Sequence, residues 1–250
     1  MPPSDFTEGL FETSRTELNE ILRWLQSRGE STDSPITVLV GGWAVYAYNP
    51  LYQSIDIDLV TNSQTKQHLM RFLRQERGFA IERYPMIPNT VYKPTPYGNI
   101  EIDFASRQDT SCFEGREEQC DFNLVDGRTI KKRLPEGTVV IVPTRALLLL
   151  FKLKAFWDRS YRLSNGTSPR PEYEQGKIEK DIADIIALLN SSIGYDDLDL
   201  QFLGEKLHEY PFLMEKLESI PERSDAIAKY GRLSQDEVRM IIKRLLPLIT

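Results

Sequence analysis

The strongest constraint on the fold is a segment in which apolar and acidic residues alternate. In Ser54–Val60, Asp56 and Asp58 alternate with isoleucine and leucine. A period of two belongs to a β-strand, in which successive side chains point to opposite faces of the sheet. The segment is therefore predicted to be a strand that turns its apolar side to the core and both carboxylates to the other face.

A second segment, Ile100–Phe104, repeats the pattern with Glu101 and Asp103 on one face. Like charges held side by side repel each other, so a fold tolerates them where solvent or a cation neutralises them. If the two strands are neighbours, three or four carboxylates converge in a site that suits Mg²⁺ and phosphate oxygens. Alternatively, each strand faces solvent in a half-covered sheet, where the same alternation is ordinary.

Two glycines separate an apolar run from a predicted helix. Ile36–Val40 is short and rich in β-branched residues, which predicts a buried strand, and Trp43–Tyr48 after Gly41-Gly42 is predicted to be helical. Without a Cβ, these glycines can present backbone N–H groups to a phosphate, although such a pair also serves as a plain turn. A tryptophan at this junction packs in the core more often than it stacks on a base.

The chain changes from mixed strands and helices to helices alone near residue 142. The first half has a predicted helix from about residue 15, with Ser14 and Glu17 as a capping box. It also has a helix over about 64–77, strand candidates at 79–83 and 90–93, a hairpin at 129–142 and an exposed loop at 107–122. The second half has helices over about 144–162 and 174–190 and a last helix capped by Ser234 and Glu237.

The predicted fold class is therefore α+β. A mixed sheet flanked by helices occupies residues 1–142, and a helical bundle that closes the active-site cleft occupies residues 143–250.

The composition excludes several classes of protein. The 31 Lys and Arg against 37 Asp and Glu give a net charge of -6, so the chain carries no general basic coat for nucleic acid. Two cysteines, Cys112 and Cys120, are too few for a disulfide scaffold and are expected to be reduced and solvated. The N-terminus lacks a signal peptide and no apolar run is long enough for a membrane span, which predicts a cytoplasmic protein without a membrane partner.

Basic residues are nevertheless concentrated in a few places. The longest concentration lies in Pro143–Arg170, and others lie on the helix over 64–77 and on the hairpin at 129–142. The residues are Arg145, Lys152, Lys154, Arg159, Arg162 and Arg170, then Arg71, Arg74 and Arg77, then Lys131, Lys132 and Arg133. Such clusters are typical either of a groove that follows phosphates or of ordinary solvated helix faces.

Helix geometry relates one of these cations to two acids. If the helix that ends near residue 162 and the helix that starts near residue 174 are antiparallel, Lys152 lies about ten residues before the end of the first. Asp181 and Asp184 lie about seven to ten residues after the start of the second. The three side chains then reach the same level. A lysine on so apolar a helix needs a partner or a cleft, although it can also extend to solvent.

The motifs together resemble a known family. GGWAVYAY (41–48), SIDIDLV (54–60) and IEIDF (100–104) resemble the nucleotidyltransferase superfamily of polymerase β-type folds. FKLKAFWDR (151–159) and EKDIADIIALL (179–189) are similar to the helical motifs of its minimal members. Within the superfamily, the resemblance is to AbiEii-like toxins of type IV toxin–antitoxin systems.

The resemblance implies a role for each motif residue. Gly41 and Gly42 would hold the triphosphate of a nucleoside triphosphate; Asp56, Asp58 and Asp103 would bind two Mg²⁺ ions. Asp103 would also activate the attacking hydroxyl, while Glu101 stands where the family is variable. Lys152 would contact the nucleotide, with Asp181 as its acid and Asp184 as a possible substitute.

The same resemblance leaves the acceptor open. AbiEii-like relatives imply the 3′ end of tRNA as acceptor and a cognate antitoxin as partner, whereas other members modify small molecules such as aminoglycosides, or proteins. A non-catalytic module that keeps this fold to bind a nucleotide or a partner is the alternative to an enzyme.

Overall fold

The computed structural model describes residues 5–50, 53–81, 89–190, 192 and 197–249, with side chains from residue 8. The chain divides into two compact units. The first, here called the αβ unit, comprises residues 1–109 and 125–143; the second, the helical unit, comprises residues 110–124 and 144–250. The segment 110–124 therefore leaves the αβ unit, packs in the helical unit and returns.

The elements of the αβ unit follow the predicted order. They are α1 (Asp5–Ser27), β1 (Val38–Val40), α2 (Gly41–Tyr48), β2 (Ile57–Thr61), α3 (Ser63–Glu76), β3 (Ala80–Ile81), β4 (Thr90–Thr95), β5 (Gly98–Ser106), β6 (Thr129–Arg133) and β7 (Val139–Pro143). The strand predicted over 79–83 runs partly outside the described residues.

A mixed sheet organises the described part of the αβ unit. Its strand order is β1-β2-β5-β4-β3, and β6 and β7 form a separate hairpin. β2 and β5 are parallel, while the other neighbouring pairs of the sheet are antiparallel. The two segments with alternating acids are thus adjacent strands, which confirms the mixed α+β architecture expected from the sequence.

Helices α1 and α3 cover the apolar face of this sheet. Lys93 of β4 is paired with Ile100 of β5, so the two side chains share a face, and Lys93 contacts Glu17 of α1 at 2.8 Å. The rings of Trp24 on α1 and Phe72 on α3 stack with 5.3 Å between their centroids, which sets the two helices side by side. Because side chains alternate, the acids of β5 point to the opposite face.

Trp43 is part of the core. Its ring is fully buried and stacks on Phe11 at 5.0 Å, and its indole N–H donates to the Ser14 hydroxyl at 3.2 Å. Packing, and not base stacking, therefore explains this tryptophan.

The capping box predicted at Ser14 and Glu17 is wrong, because α1 begins about two turns earlier, at Asp5. Ser14 lies inside the helix and donates to the carbonyl oxygen of Ile55. The Glu17 carboxylate is buried and accepts from Arg77 at 3.1 Å and from Lys93 at 2.8 Å. Both residues thus serve long-range contacts that a local motif cannot reveal.

The helical unit contains the remaining helices. They are α4 (Arg145–Ser164), α5 (Pro171–Leu189), α6 (Leu200–Glu209), α7 (Pro211–Ser219), α8 (Ser224–Tyr230) and α9 (Gln235–Ile249). Helices α4 and α5 pack together through buried leucines and isoleucines. The predicted capping box of α9 is confirmed: the Ser234 N–H donates to the Glu237 carboxylate at 2.7 Å, and the Glu237 N–H to the Ser234 hydroxyl at 3.3 Å.

The loop predicted to be exposed at 107–122 is exposed at most of its residues, but two buried side chains anchor it in the helical unit. Phe113 and Cys120 are both 1% exposed, and Tyr210 donates to the Gln119 carbonyl at 2.6 Å. Both cysteines are free, Cys112 exposed and Cys120 buried, so the expectation of a solvated pair is wrong for Cys120. Burial raises the pKa of the Cys120 thiol to about 12, which keeps it protonated.

No helix among the described residues has the length and apolarity needed to cross a membrane.

Replacing Glu17 with alanine should lower the free energy of unfolding by about 2 kcal/mol, since Arg77 and Lys93 lose the buried carboxylate that both contact. Urea denaturation followed by circular dichroism measures this loss. Glu12→Ala, which removes an exposed partner of Arg15 on the same helix, is the control and should change stability by less than about 0.5 kcal/mol. Equal effects of the two substitutions would contradict a structural role for the buried contact.

Candidate active site

Two carboxylates meet where β2 and β5 run side by side. Asp58 and Asp103 are directly opposite each other in the parallel register, and both are half-buried. Adjacent strands lie about 4.8 Å apart, so the two side chains project from neighbouring points on one face of the sheet. The convergence expected from the sequence is therefore present for these two acids.

The other two predicted acids, Asp56 and Glu101, lie outside the paired residues of β2 and β5. Glu101 lies on the same face of β5, two residues before Asp103, and is paired across the hairpin with Tyr92. The strand predicted from Ser54 begins only at Ile57, so Asp56 occupies the preceding bend and not the ladder. That Asp56 lies beside Asp58 in the site stays a prediction, because the ladder that would fix it starts one residue later.

Gly41 brings the backbone of α2 against Asp58. Its φ of +63° lies in the left-handed region, and a Cβ at this position would overlap the carboxylate of Asp58. The first turn of α2 contains no acidic residue, and the side chain of its N-cap residue Val40 makes no capping hydrogen bond. Glycine is therefore required here by both conformation and space, and the N-terminal N–H groups of a buried helix lie beside the acid pair.

Thr90 is a site residue that the motifs do not identify. It is paired with Asp103 across the β4–β5 hairpin, and its hydroxyl donates to the Asp103 carboxylate. A hydroxyl donor stabilises the ionised form of a carboxylate and fixes its orientation. The register could have revealed Thr90, since counting back from the turn at Thr95 and Gly98 sets it opposite Asp103.

No group of three or more His, Cys, Asp or Glu side chains in the described ranges is arranged to hold a metal ion. The site built by these residues is accordingly a pair of carboxylates beside a helix N-terminus.

A second ionic cluster lies within the helical unit. Lys152 is 8% exposed, and its ammonium nitrogen lies 2.5 Å from Asp184 and 3.6 Å from Asp181. The pairs Arg162–Glu174 and Lys152–Asp184 run in opposite orders along α4 and α5, so the helices are antiparallel. The geometric prediction that Lys152 reaches the level of both acids is confirmed, while its contact with a nucleotide stays a prediction.

Neighbouring cations neutralise the two buried carboxylates of this cluster. Burial alone would raise the pKa of Asp181, but Arg159 and Lys152 offset this, and the pKa lies below its usual value. Asp184 is fully buried, and no described residue donates a hydrogen bond to its Oδ1 atom. Its charge is balanced by Lys152 and, at 3.8 Å, by Lys180.

The buried cations of the 143–170 stretch fit neither of the two predicted alternatives, a groove that follows phosphates or a solvated helix face. Arg145 is 1% exposed and donates to the Leu188 carbonyl at 2.8 Å. Lys154 is also buried and donates to the Cys112 carbonyl at 2.8 Å and to Asp158 at 2.6 Å. These cations hold the helical unit together.

No protein-family model matches the chain, and no curated protein shows significant sequence similarity to it.

Gly41→Ala should destabilise the protein by at least about 1 kcal/mol more than Gly29→Ala. Both glycines have a positive φ, which costs an alanine about 1 kcal/mol. Only at Gly41 would the added Cβ meet another group, since the space at Gly29 is open. Chemical denaturation measures the difference, and Asp58→Ala in the Gly41→Ala background should recover part of it. Equal losses without recovery would contradict the close approach of Gly41 and Asp58.

Asp181→Asn should lower the free energy of unfolding at pH 7 by about 3 kcal/mol, because two cations lose a buried partner. The pKa of Asp181 is lower in the folded than in the unfolded chain, where it is about 3.9. Its stabilisation is therefore present above that pH and is lost as the pH falls through the folded pKa.

Denaturation at pH 3 to 7 should show the difference between Asp181→Asn and the wild type shrinking below about pH 4. Asp236→Asn, at an exposed residue paired with Arg239, is the control and should change little at any pH. A difference for Asp181→Asn that is independent of pH would show that its charge does not stabilise the fold.

Proposed function

We propose that this chain is a nucleotidyltransferase of the polymerase β-type superfamily, with the mixed sheet as its nucleotidyltransferase fold. An acceptor hydroxyl attacks the α-phosphate of a nucleoside triphosphate; the oxygen–phosphorus bond to the acceptor forms, the α–β phosphoanhydride bond breaks, and pyrophosphate leaves. The observation that carries the proposal is the position of Asp58 opposite Asp103 on parallel strands, next to Gly41.

The acid pair is suited to Mg²⁺. Two adjacent carboxylates in one ladder are disfavoured by mutual repulsion unless a cation or solvent compensates them. Mg²⁺ is usually held by one or two carboxylates together with substrate phosphates, so Asp58 and Asp103 suffice as its protein ligands. When bound, Mg²⁺ would neutralise charge on the attacking and leaving oxygens.

The remaining chemistry belongs to the chain's own groups. Asp103, oriented by the Thr90 hydroxyl, accepts the proton of the attacking hydroxyl. The backbone N–H groups at the start of α2 donate to the phosphates of the leaving pyrophosphate, where Gly41 and Gly42 let the ligand approach without a Cβ. Asp58 borders this region through its contact with Gly41.

The motif resemblance supports the finer parts of the proposal. The order of a buried strand, Gly41-Gly42, a helix and the Asp58 strand is that of the superfamily. Lys152 and Asp181 belong to its helical motif and are proposed as a nucleotide-contacting lysine and its acid. The 3′ end of tRNA is proposed as the acceptor, and an antitoxin as the partner.

Asp58→Asn and Asp103→Asn should each reduce transfer by at least about 100-fold, because each removes a charge needed for the proton or the cation. The assay incubates the protein with Mg²⁺, labelled nucleoside triphosphates and total tRNA, and follows label in RNA together with released pyrophosphate. Glu101→Gln, on the same strand and face but outside the Asp58–Asp103 pair, is the control and should retain most of the activity.

If a folded Asp58→Asn variant transfers nucleotide at the wild-type rate, the assignment of the site is overturned. Label found in a protein or a small molecule, and not in RNA, would support the proposed nucleotidyl transfer but overturn tRNA as the acceptor. Nucleotide binding without transfer to any acceptor would favour the non-catalytic module.

A further inference from the structure

A cleft of about 180 Å³ lies in the αβ unit between α1 and α3. It is separate from the acid pair, since these helices cover the apolar face of the sheet and Asp103 points to the other face. Its lining combines aromatic rings with groups that bind anions and donate hydrogen bonds. These residues are Trp24, Arg28, His68, Arg71, Phe72 and Gln75.

The aromatic side chains form the floor of the cleft. Trp24 and Phe72 are stacked with 23° between their planes, and the Arg28 guanidinium lies 5.1 Å from the centre of the Trp24 ring. Trp24 is half-buried, which leaves part of its surface to the cleft. A planar guanidinium on an indole is a surface on which a nucleobase can stack.

The arginines around this floor differ from most others in the chain. Within the described residues, Arg28, Arg71 and Arg74 make no ion pair, whereas Arg77 on the same helix contacts Glu17 and Glu20. Elsewhere in the αβ unit, Arg15, Arg23 and Arg107 each have a carboxylate partner. Glu76 is the acid that lines the cleft. Arg28 and Arg71 line the cleft and Arg74 lies three residues further along α3, so together they leave a local positive charge on a chain whose net charge is -6.

We propose that this cleft binds single-stranded RNA. Guanidinium groups pair with phosphates in a bidentate manner through their N–H edges, so Arg28 and Arg71 would hold the backbone. A base would stack on the open face of the Arg28 guanidinium, whose other face lies on the Trp24 ring. The space between two helices admits an unstacked base but not a duplex, and the His68 and Gln75 side chains offer hydrogen bonds to a 2′-hydroxyl. This surface goes beyond the proposed transfer site, and RNA binding here does not require transfer to occur.

The test is fluorescence anisotropy with a labelled single-stranded RNA of mixed sequence, without nucleotide or Mg²⁺. Arg28→Ala/Arg71→Ala should weaken binding by at least about tenfold. The slope of log K against log salt should also become shallower by about 1.4, at about 0.7 for each lost phosphate contact. Arg232→Ala/Arg244→Ala removes two exposed arginines that have no ion pair among the described residues and is the matched control for net charge.

Trp24 gives a readout that does not depend on affinity. RNA should change the intrinsic fluorescence of the wild type, and Trp24→Phe should remove most of this response, since Trp43 is fully buried and Trp157 belongs to the helical unit and does not line the cleft. The four exposed arginines lie at the surface, so unchanged circular dichroism and denaturation midpoints are expected for both double variants.

Several results would overturn the proposal. One is equal weakening by both double variants, which would indicate general electrostatic attraction. Others are single-stranded DNA that binds as tightly as RNA, and poly-glutamate that binds as tightly as RNA of the same charge, which would indicate an acidic protein partner. Because Asp58→Asn should bind RNA as the wild type does, loss of transfer and loss of docking are separate outcomes.

Discussion

The parallel ladder between β2 and β5 is the interaction on which the candidate site depends. It pairs Asp58 with Asp103, and the same register pairs Leu59 with Phe104 on the face covered by α1. A slip of β2 by one residue would send Asp58 into that apolar layer and expose Leu59. The burial of the apolar face therefore fixes the acid pair, and the site's geometry follows from the packing of the core.

The two units handle buried charge differently. In the helical unit, Lys152 and Arg159 of α4 contact Asp181 and Asp184 of α5, so two buried carboxylates are balanced by one buried and one half-buried cation. In the αβ unit, Asp58 and Asp103 are half-buried and face each other as like charges. The first arrangement is typical of an internal structural network. The second is favoured where a ligand supplies the compensating charge.

Local patterns in the sequence predict local structure well and long-range contacts poorly. The β6–β7 hairpin and the capping box of α9 could be predicted because their partners lie within a few residues of each other. The Ser14–Glu17 box was wrong because the Glu17 partner Arg77 is 60 residues away. The burial of Phe113 also had no local signal, since the helical unit that covers it lies later in the chain. At the site, Asp58 and Asp103 could be predicted but Thr90 required the register.

The distribution of arginines explains why composition says little about partners. The net charge of -6 excludes a basic coat, yet it includes cations that are already paired in the fold, such as Arg162 with Glu174. The 143–170 stretch has the longest concentration of cations in the sequence, but its Arg145 and Lys154 are buried. The two arginines of the α1–α3 cleft, Arg28 and Arg71, lie far apart in the sequence and converge only in the folded unit. Exposure and pairing, and not density in the sequence, decide which cations can meet a phosphate.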